Sequence, residues 1–416
     1  MYQIDADINR AATLPGAFYN TPEAFEACRE KIFARSWQII THAEETVKLP
    51  NDAMPFQFMD NFIEEPLLLL RDAQNVPHCL SNVCTHRGKI LVEHPCKLER
   101  GIICGYHGRR FHPDGRFAAM PETAGMENFP CADDNLTRLP VHQWRQFSFT
   151  SIAPAFPFDE WVAGMERKIG FLPVEQFRFD AARSRDYLVK ANWALYCDNY
   201  LEGFHIPFVH KALAATLDWG AYRTELFDWG NVQVGVSKGG EEVFTLPEGH
   251  EHYGQAIAGY FFWLFPNIMF NFYPWGLSLN IVRPLQQDLT RVSFRAYVWD
   301  ASRLGKGAGH DLTEKPHADA LGWLRRGLQT LELLTRLRQP VIAAVRGTCF
   351  TGGLEMALSA DFIVCDDSAR FADTHGKWGL VPGWGMSQRL PRRVGQAKAL
   401  EMMLTCRPYS AAEAVA

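Results

Sequence analysis

The spacing of apolar and polar residues predicts a short N-terminal segment followed by two domains with different patterns. Residues 1–35 predict an arm and one helix, because Thr21-Pro22-Glu23 supplies an N-cap, a first-turn proline and an early acid. In residues 36–145, short apolar runs alternate with Gly, Pro and Asn turns, which is typical of a small antiparallel β domain. In residues 146–304, helix-compatible sequence gives way to strand-like segments, which predicts a mixed α+β domain.

The pattern changes again in residues 305–416, after a glycine-rich stretch from Gly305 to His310. Beyond Pro316, leucines at spacings of three and four residues predict an amphipathic packing helix. These leucines are Leu321, Leu324, Leu328 and Leu331. The following sequence is rich in Ala and Gly, and we expect a separate C-terminal region.

The most apolar stretch, residues 257–276, has the length of a membrane span but the wrong composition for one. Its aromatic residues favour strands, and polar or helix-breaking residues interrupt it repeatedly. The interruptions are Pro266, Asn267, Asn271 and Pro274. We therefore predict buried sheet and no membrane association.

Charge and cysteine content narrow the class of protein further. The 416 residues contain 42 Lys+Arg and 47 Asp+Glu, for a net charge of −5. This balance gives no attraction to nucleic acid or to an anionic membrane surface. The N-terminus lacks the apolar core of a secretory signal. Because two of the ten cysteines lie beside histidines, we expect reduced thiols and metal ligands, and a cytoplasmic protein.

Two Cys/His pairs carry the strongest chemical signal. Cys84 and His86 form C-x-H, Cys104 and His107 form C-x2-H, and a glycine follows each pair. Thiolates with two imidazoles suit a [2Fe-2S] cluster that transfers single electrons at a raised potential. A structural Cys2His2 zinc site and a chance cluster are the alternatives. The cysteines outside the motif, among them Cys28, Cys79, Cys96 and Cys131, are expected to be packing residues.

The segments NVCTHRGKIL and CGYHGRRFHPDGR resemble the two cluster-binding loops of the Rieske ring-hydroxylating oxygenase α-subunit family, and the resemblance covers about residues 1–309. It implies that Cys84 and Cys104 bind one iron while His86 and His107 bind the other. It also implies an α+β fold class, with an N-terminal antiparallel β Rieske domain and an incomplete, helix-grip-like catalytic domain.

A second set of polar residues follows in NWALYCDNYLEGFHIPFVH. Asp198, Glu202 and His205 are spaced i, i+4, i+7, which places them on one helical face, and Pro207 predicts that the helix ends before His210. Two histidines and one carboxylate can hold Fe(II) with open positions for oxygen and substrate. The carboxylate of such a site would have to come from another part of the chain. A polar surface helix is the alternative interpretation.

This segment is similar to the mononuclear-iron motif of the same family, E/D-x2-H-x4-H. The similarity implies that His205 and His210 bind a non-haem Fe(II) and that Glu202 links the cluster to it. Asp319 falls near the place expected for the last iron ligand, although a solvated helix face is the alternative there. Asp300 and Asp311 are further candidates.

The family resemblance also implies the reaction and its partners. An α-subunit of this kind takes electrons from a ferredoxin or an NAD(P)H-dependent reductase and uses O2 for hydroxylation or oxidative demethylation of a small organic substrate. A homotrimer is implied, in which one subunit's cluster serves its neighbour's iron. The glutamate at position 202 is similar to that of choline, betaine and carnitine oxygenases. The segment YFFWLFPNIMFNFYPW could then supply a cation–π cage, enclose an aromatic hydrocarbon, or fill a core.

The tail resembles another family. RQPVIAAVRGTCFTGGLEMALSADFIVCDDSARF and GLVPGWGMSQRLPRRVG are similar to the central part of the enoyl-CoA hydratase/isomerase (crotonase) family, over about residues 308–416. The similarity implies a partial α/β segment in which the N–H groups of His310 and Gly352 hold an oxyanion and Glu355 is catalytic. His375 stands where a second glutamate is expected.

The tail is expected to lack the early CoA-binding strands and the closing helices of this family. The sequence Gly-Ala-Gly at Gly307 to Gly309 occurs in similar surroundings in both families. We hypothesise a chimera with exposed apolar elements and marginal stability in the tail. Two alternatives to an oxygenase follow. One is a crotonase-like acyl-CoA hydratase or isomerase, and the other is an inactive fusion that retains only the iron–sulfur cluster.

Overall fold

A computed structural model gives the fold of the chain. It describes all residues except 1–3, 6, 8, 204, 210–215, 305–327, 329, 379–381 and 416. The chain divides into two compact units, Met1–Leu312 and Thr313–Ala416. Most of the leucine-patterned helix predicted beyond Pro316 lies outside the described residues.

The first unit begins with helices. The predicted N-cap is confirmed, because the Thr21 side chain accepts a hydrogen bond from the Ala24 N–H at the start of helix Pro22–Lys31. A short helix precedes it, so this segment contains more than the single helix expected. The helices here are α1 (Gly16–Asn20), α2 (Pro22–Lys31) and α3 (Ala43–Thr46), with a 3-10 turn at Phe33–Arg35.

Small antiparallel sheets follow, as the alternation of short apolar runs predicts. One has the strand order β5-β2-β3-β4-β9, one β6-β7-β8 and one β1-β11-β10. The strands are β1 (Gln38–Ile40), β2 (Asp52–Phe58), β3 (Glu65–Arg71), β4 (Pro77–Ser81), β5 (Cys96–Lys97), β6 (Ile102–Ile103), β7 (Arg110–Phe111), β8 (Phe117–Ala119), β9 (Arg138–Leu139), β10 (Val141–Trp144) and β11 (Phe147–Thr150). Strand β11 pairs with β1 and β10, so this part of the fold extends past residue 145.

The second part of this unit is built on a seven-stranded antiparallel sheet of order β12-β18-β17-β16-β15-β14-β13. Helix α4 (Phe158–Ile169) packs on one face, and helix α5 (Trp193–Leu201) on the other. A short helix, α6 (Ile206–Val209), follows α5. The strands are β12 (Arg178–Val189), β13 (Arg223–Phe227), β14 (Gly230–Val236), β15 (Ile257–Leu264), β16 (Ile268–Tyr273), β17 (Gly276–Gln286) and β18 (Leu289–Val298).

The apolar stretch 257–276 forms β15, β16 and the start of β17, which confirms the prediction of buried sheet. Because successive strand residues point to opposite faces, its rings divide between two environments. Tyr260, Phe262, Phe270 and Phe272 join the core beneath α4. No helix in the described part of the chain is long and apolar enough to cross a membrane.

The C-terminal unit contains small sheets and several helices. Strands β19 (Ile342–Val345) and β21 (Phe362–Cys365) pair in parallel, and β20 (Thr348–Phe350), β22 (Arg370–Ala372) and β23 (Tyr409–Ser410) form the order β20-β22-β23. The helices are α7 (Gly352–Ala357), α8 (Met386–Val394), α9 (Gln396–Thr405) and α10 (Ala411–Val415). The α+β class with antiparallel sheets and a partial α/β tail is confirmed.

One face of the β19-β21 pair is open to solvent. Ile342, Phe362 and Val364 are 60%, 61% and 53% exposed, although they alternate with residues that pack on the unit's core. A parallel pair is normally covered on both faces. The expectation of exposed apolar strands in the tail is therefore met.

We expect a protease to cut residues 310–416 at an earlier time than it cuts the first unit. A two-stranded sheet with one uncovered apolar face opens locally at little cost in free energy, and proteases act on the opened chain. A trypsin time course followed by mass spectrometry should give early fragments ending within residues 310–416, with residues 9–304 surviving longer. Resistance throughout residues 310–416 would contradict the expected marginal stability.

Candidate metal centres

Two loops with the same hydrogen-bond pattern present the Cys/His pairs. In the first, the Cys84 N–H donates to the Lys89 carbonyl and the Gly88 N–H donates to the Cys84 carbonyl. In the second, the Cys104 N–H donates to the Arg109 carbonyl and the Gly108 N–H donates to the Cys104 carbonyl. Both glycines lie in the left-handed region, at φ 69° and 71°, where a side chain would be strained.

The sulfur atoms lie at the inner ends of these loops. Cys84 and Cys104 are each only 2% exposed, and their side chains lie within hydrogen-bonding reach of one another. Burial raises the pKa of the Cys84 thiol, the neighbouring Cys104 adds to the rise, and the His86 backbone N–H opposes it. A metal that binds here must displace the thiol protons.

The imidazoles lie side by side at the outer ends. The ring centroids of His86 and His107 are 4.8 Å apart. Partial desolvation and the nearby positive charges of His107, Arg87 and Arg109 lower the pKa of His86, which favours the neutral form that binds metal. The Nδ1 atom of His107 is buried and has no hydrogen bond to any residue that the structure describes. Two inner sulfurs, two outer imidazoles and a buried nitrogen in need of a partner fit a [2Fe-2S] cluster.

Asp134 ties the two loops together. Its carbonyl accepts hydrogen bonds from Thr85 Oγ1 at 2.9 Å and from Arg109 Nη2 at 3.1 Å, one from each loop. Its carboxylate accepts from the same Arg109 nitrogen at 2.5 Å. The Cys131 backbone N–H and this guanidinium lower the pKa of Asp134. Arg109 is 3% exposed and also lies over the rings of Phe111, Phe117 and Phe129.

We expect Arg109→Met to lower the free energy of unfolding by about 3 kcal/mol, because it leaves the Asp134 carboxylate without its main cationic partner. The loops should then release the cluster at a lower temperature. Thermal unfolding followed by the visible absorbance of the cluster checks this. Arg110→Met, at an exposed neighbouring position, is the control and should change little; equal effects of the two substitutions would contradict the role of Arg109.

The structure corrects the expected helix around Glu202. Helix α5 ends at Leu201, and Glu202 has extended backbone angles of φ −110° and ψ 145°. Asp198, Glu202 and His205 therefore do not share one helical face. Pro207 lies in the first turn of α6, where its missing N–H costs nothing, so it is not the residue that ends α5; the described helix α6 ends at Val209, before His210. His210 and Asp319 lie outside the described residues. Asp300 is described, and its side chain caps the turn Ala301–Arg303.

The break brings Glu202 and His205 into direct contact. Glu202 Oε1 lies 2.6 Å from His205 Nδ1, and Glu202 Oε2 accepts a hydrogen bond from the His205 backbone N–H at 3.3 Å. A carboxylate on Nδ1 fixes the ring orientation and leaves Nε2 for a metal. The pair has the arrangement of an iron-binding histidine with its supporting carboxylate.

An aromatic wall lies next to this turn. Its rings pack with Ile206 and Leu217 on the face of the sheet opposite the main core, and several of them stack on one another. The wall consists of Tyr200, Trp219, Tyr222, Phe261, Tyr273 and Trp275. Only part of the predicted aromatic segment therefore borders the candidate iron site, because the alternate rings fill the core.

In the C-terminal unit, a buried acid lies beside His375. Glu355, on the same helix as Gly352, accepts hydrogen bonds on Oε1 from the backbone N–H groups of Trp384 and Met386 at 2.8 and 3.2 Å. Its Oε2 lies 3.8 Å from His375 Nε2, and His375 Nδ1 lies 2.5 Å from Asp373 Oδ1. His310 lies outside the described residues.

Some polar groups were missed from sequence, and the packing prediction was wrong for two cysteines. Arg109 and Asp134 lie 25 residues apart and form no motif, and Asp373 pairs with His375, which differs from the family pattern. Cys28 and Cys79 pack in a core as expected, whereas Cys96 and Cys131 are exposed.

A group of Glu225, Glu251 and His252 has the spacing of a metal site. Lys168 Nζ, however, lies 2.5 and 2.7 Å from the two carboxylates, and Arg223 Nε lies 2.9 Å from Glu225, so two cations already compensate their charge.

Three families match the chain. "Rieske [2Fe-2S] domain" matches residues 36–130, "Ring hydroxylating alpha subunit (catalytic domain)" matches residues 174–315, and "Enoyl-CoA hydratase/isomerase" matches residues 305–416.

Curated relatives match about seven tenths of the chain. Chloroplastic choline monooxygenase of Arabidopsis thaliana is 28% identical over 301 residues, which is 69% of this chain and 68% of that protein. The carnitine monooxygenase oxygenase subunit of Escherichia coli is 27% identical over 295 residues, 70% of this chain and 76% of that protein.

Solved structures share the fold. The quaternary ammonium Rieske monooxygenase CntA, in complex with gamma-butyrobetaine, has a TM-score of 0.56 at 23% identity and covers 76% of this chain and 80% of that chain. Naphthalene 1,2-dioxygenase from Rhodococcus sp. has a TM-score of 0.55 at 18% identity, over 74% of this chain and 77% of that one.

Proposed function

Because the chain belongs to the Rieske ring-hydroxylating oxygenase α-subunit family over its first three quarters and ends in an enoyl-CoA hydratase/isomerase segment, we propose that it oxidises a small quaternary ammonium compound. It is an oxygenase that uses a [2Fe-2S] cluster and a mononuclear non-haem iron. The cluster supplies electrons singly, and the iron activates O2 for hydroxylation or oxidative demethylation.

One observation carries the oxygenase assignment: the convergence of two buried sulfurs and two adjacent imidazoles on matched loops. In the proposal, Cys84 and Cys104 hold one iron of the cluster, and His86 and His107 hold the other. His205 and His210 hold the mononuclear iron with Asp319 as the third ligand, and Glu202 is the electron-transfer carboxylate. The proposed domains are 1–35, 36–145, 146–304 and 305–416, with β11 (Phe147–Thr150) completing a sheet of the second domain.

The substrate class rests on the aromatic wall and on the relatives. Ring faces attract a quaternary ammonium group without forming a salt bridge, and the rings of the aromatic wall pack in one cluster with Ile206, the residue after His205. The relatives named above are choline and carnitine monooxygenases. In the reaction, O2, two electrons and two protons convert one C–H bond next to nitrogen to C–OH and release one water.

We further propose a homotrimer in which each cluster serves the iron of a neighbouring subunit, with a ferredoxin or NAD(P)H-dependent reductase as electron donor. Glu202 would connect the two centres across the subunit boundary. Since none of the ten cysteines, all of them in the described part of the chain, forms a disulfide, we further propose that the protein works in the reducing cytoplasm.

Iron and sulfide analysis with low-temperature EPR of the reduced protein tests the cluster. Oxygen consumption with a reductase then tests the substrate, with choline, carnitine and gamma-butyrobetaine compared against naphthalene. We expect a reducible cluster and oxygen-dependent loss of at least one quaternary ammonium compound. Zinc without sulfide would contradict the oxygenase assignment, and turnover of naphthalene alone would contradict the substrate class.

A second candidate function is acyl-CoA chemistry in the tail, favoured by the buried Glu355 beside His375. Exchange of the α-protons of butyryl-CoA with deuterium, read by mass spectrometry, would detect it. Exchange that is lost in Glu355→Gln would support this function. A reducible cluster without oxygen-dependent product and without such exchange would indicate an inactive fusion.

A further inference from the structure

The end of helix α5 is held by a side chain from the sheet. The last carbonyls of a helix have no partner within the helix and need a donor from elsewhere. Gln233, on strand β14, donates from Nε2 to the Tyr200 carbonyl at 2.6 Å. This contact fixes the backbone two residues before Glu202.

The oxygen atom of the same amide binds Tyr222, one residue of the aromatic wall. Gln233 Oε1 accepts a hydrogen bond from the Tyr222 hydroxyl at 2.6 Å. Burial and the negative charge of Glu202 raise the pKa of Tyr222, so its hydroxyl keeps its proton for this bond. Gln233 is 3% exposed, and its amide supplies the donor for one of these bonds and the acceptor for the other.

The turn after the helix packs closely against the same two side chains, Gln233 and Tyr222. A Cβ atom on Gly203 would lie 3.1 Å from Tyr222 Cε1 and 3.6 Å from Gln233 Oε1. On the opposite side, the Tyr200 hydroxyl donates to Asn271 Oδ1 at 2.6 Å. A displacement of the Gln233 amide would therefore disturb the Tyr200 carbonyl, the Tyr222 ring and Gly203, the residue that follows Glu202.

We infer that Gln233 is a positioning residue that sets the Glu202 carboxylate against His205 Nδ1. The inference rests on the function proposed above. Through Tyr200 and Tyr222, Gln233 keeps the 2.6 Å Glu202–His205 contact in place. Misplacement of a reacting group by about 1 Å can lower a rate by about 10²-fold. We therefore expect loss of the Gln233 hydrogen bonds to displace Glu202 and to slow electron transfer.

The test compares two buried glutamines. Gln233→Met keeps the length of the side chain but removes both hydrogen bonds. Gln38→Met is the matched control, since Gln38 is also 3% exposed and pairs its amide with Asn267, away from the turn. The full chain is reduced under argon and mixed with O2 and choline or gamma-butyrobetaine, and reoxidation of the cluster is followed by absorbance and EPR.

We expect Gln233→Met to reoxidise its cluster about 10- to 100-fold more slowly than the wild type, with the same cluster EPR and iron content. The kcat should fall in proportion while KM stays the same. Gln38→Met should reoxidise at the wild-type rate although its stability falls. Wild-type reoxidation in Gln233→Met, or equal slowing in both variants, would overturn the positioning role.

Tyr222→Phe provides a milder change in case Gln233→Met does not fold. It removes the Tyr222 bond and leaves the Gln233–Tyr200 bond, so reoxidation should slow several-fold. An unchanged rate in Tyr222→Phe would also count against the inference. If the wild type shows no substrate-dependent reoxidation, the proposed function is contradicted, and the role of Gln233 with it. If the wild type reoxidises normally and the variants are unaffected, the role of Gln233 alone is contradicted.

Discussion

Replacing Cys104 with serine is expected to abolish the iron–sulfur cluster and all oxygenase activity. The sulfur lies at the buried inner end of its loop, next to that of Cys84, and a serine hydroxyl is a poor replacement for a thiolate on iron. Because the remaining ligands cannot hold the cluster, acid-labile sulfide and the EPR signal of the reduced protein should fall to background.

Cys131→Ser and Cys96→Ser are suitable controls, because both thiols are exposed and lie outside the loops. Each should keep the sulfide content and the EPR signal of the wild type. A full complement of sulfide in Cys104→Ser would show that the cluster is bound elsewhere, and it would remove the basis of the proposed electron path.

The Cys/His loops could be predicted from the sequence because their geometry is local. Each loop closes on itself through hydrogen bonds between neighbouring residues, and Gly88 and Gly108 supply the required backbone angles. Ligand type and spacing therefore sufficed to identify the site. The contact that joins the loops, Arg109 with Asp134, was not predictable, since 25 residues separate the partners and no motif marks them.

The region around Glu202 shows the opposite case. The spacing of Asp198, Glu202 and His205 favours a continuous helix, and the helix nevertheless ends at Leu201. A capping contact from Gln233, on a distant strand, satisfies the freed Tyr200 carbonyl, so tertiary packing overrides local periodicity. The residue types of the site were predictable, but the break that brings Glu202 onto His205 was not.

The seven-stranded sheet is an intermediate case. The aromatic residues and the Pro and Asn interruptions of residues 257–276 predicted strands, but they could not tell which ring faces which side of the sheet. Tyr260 and Phe262 face the core beneath α4, whereas Phe261 and Tyr273 join the aromatic wall. The face is decided by the pairing register of β15 with β16, which sequence alone does not specify.

Replacing Glu202 with glutamine is expected to separate electron transfer from metal binding. The amide oxygen of glutamine can still accept a hydrogen bond from His205 Nδ1–H, so the ring orientation and the iron content should be retained. The negative charge that supports the histidine and links the centres is lost. We expect cluster reoxidation by O2 and substrate to slow by about 100-fold, at the upper end of the effect of such supporting partners.

The control for this role removes a negative charge that does not contact His205. Asp218→Asn removes one such charge from an exposed position next to Trp219 in the chain, where the side chain accepts a hydrogen bond from the Gly220 N–H. It should leave reoxidation unchanged, and Glu202→Asp should recover part of the rate because it restores the charge on a shorter side chain. If Glu202→Gln binds iron, keeps its cluster and reoxidises at the wild-type rate, electrons reach the iron by a route that does not include this carboxylate.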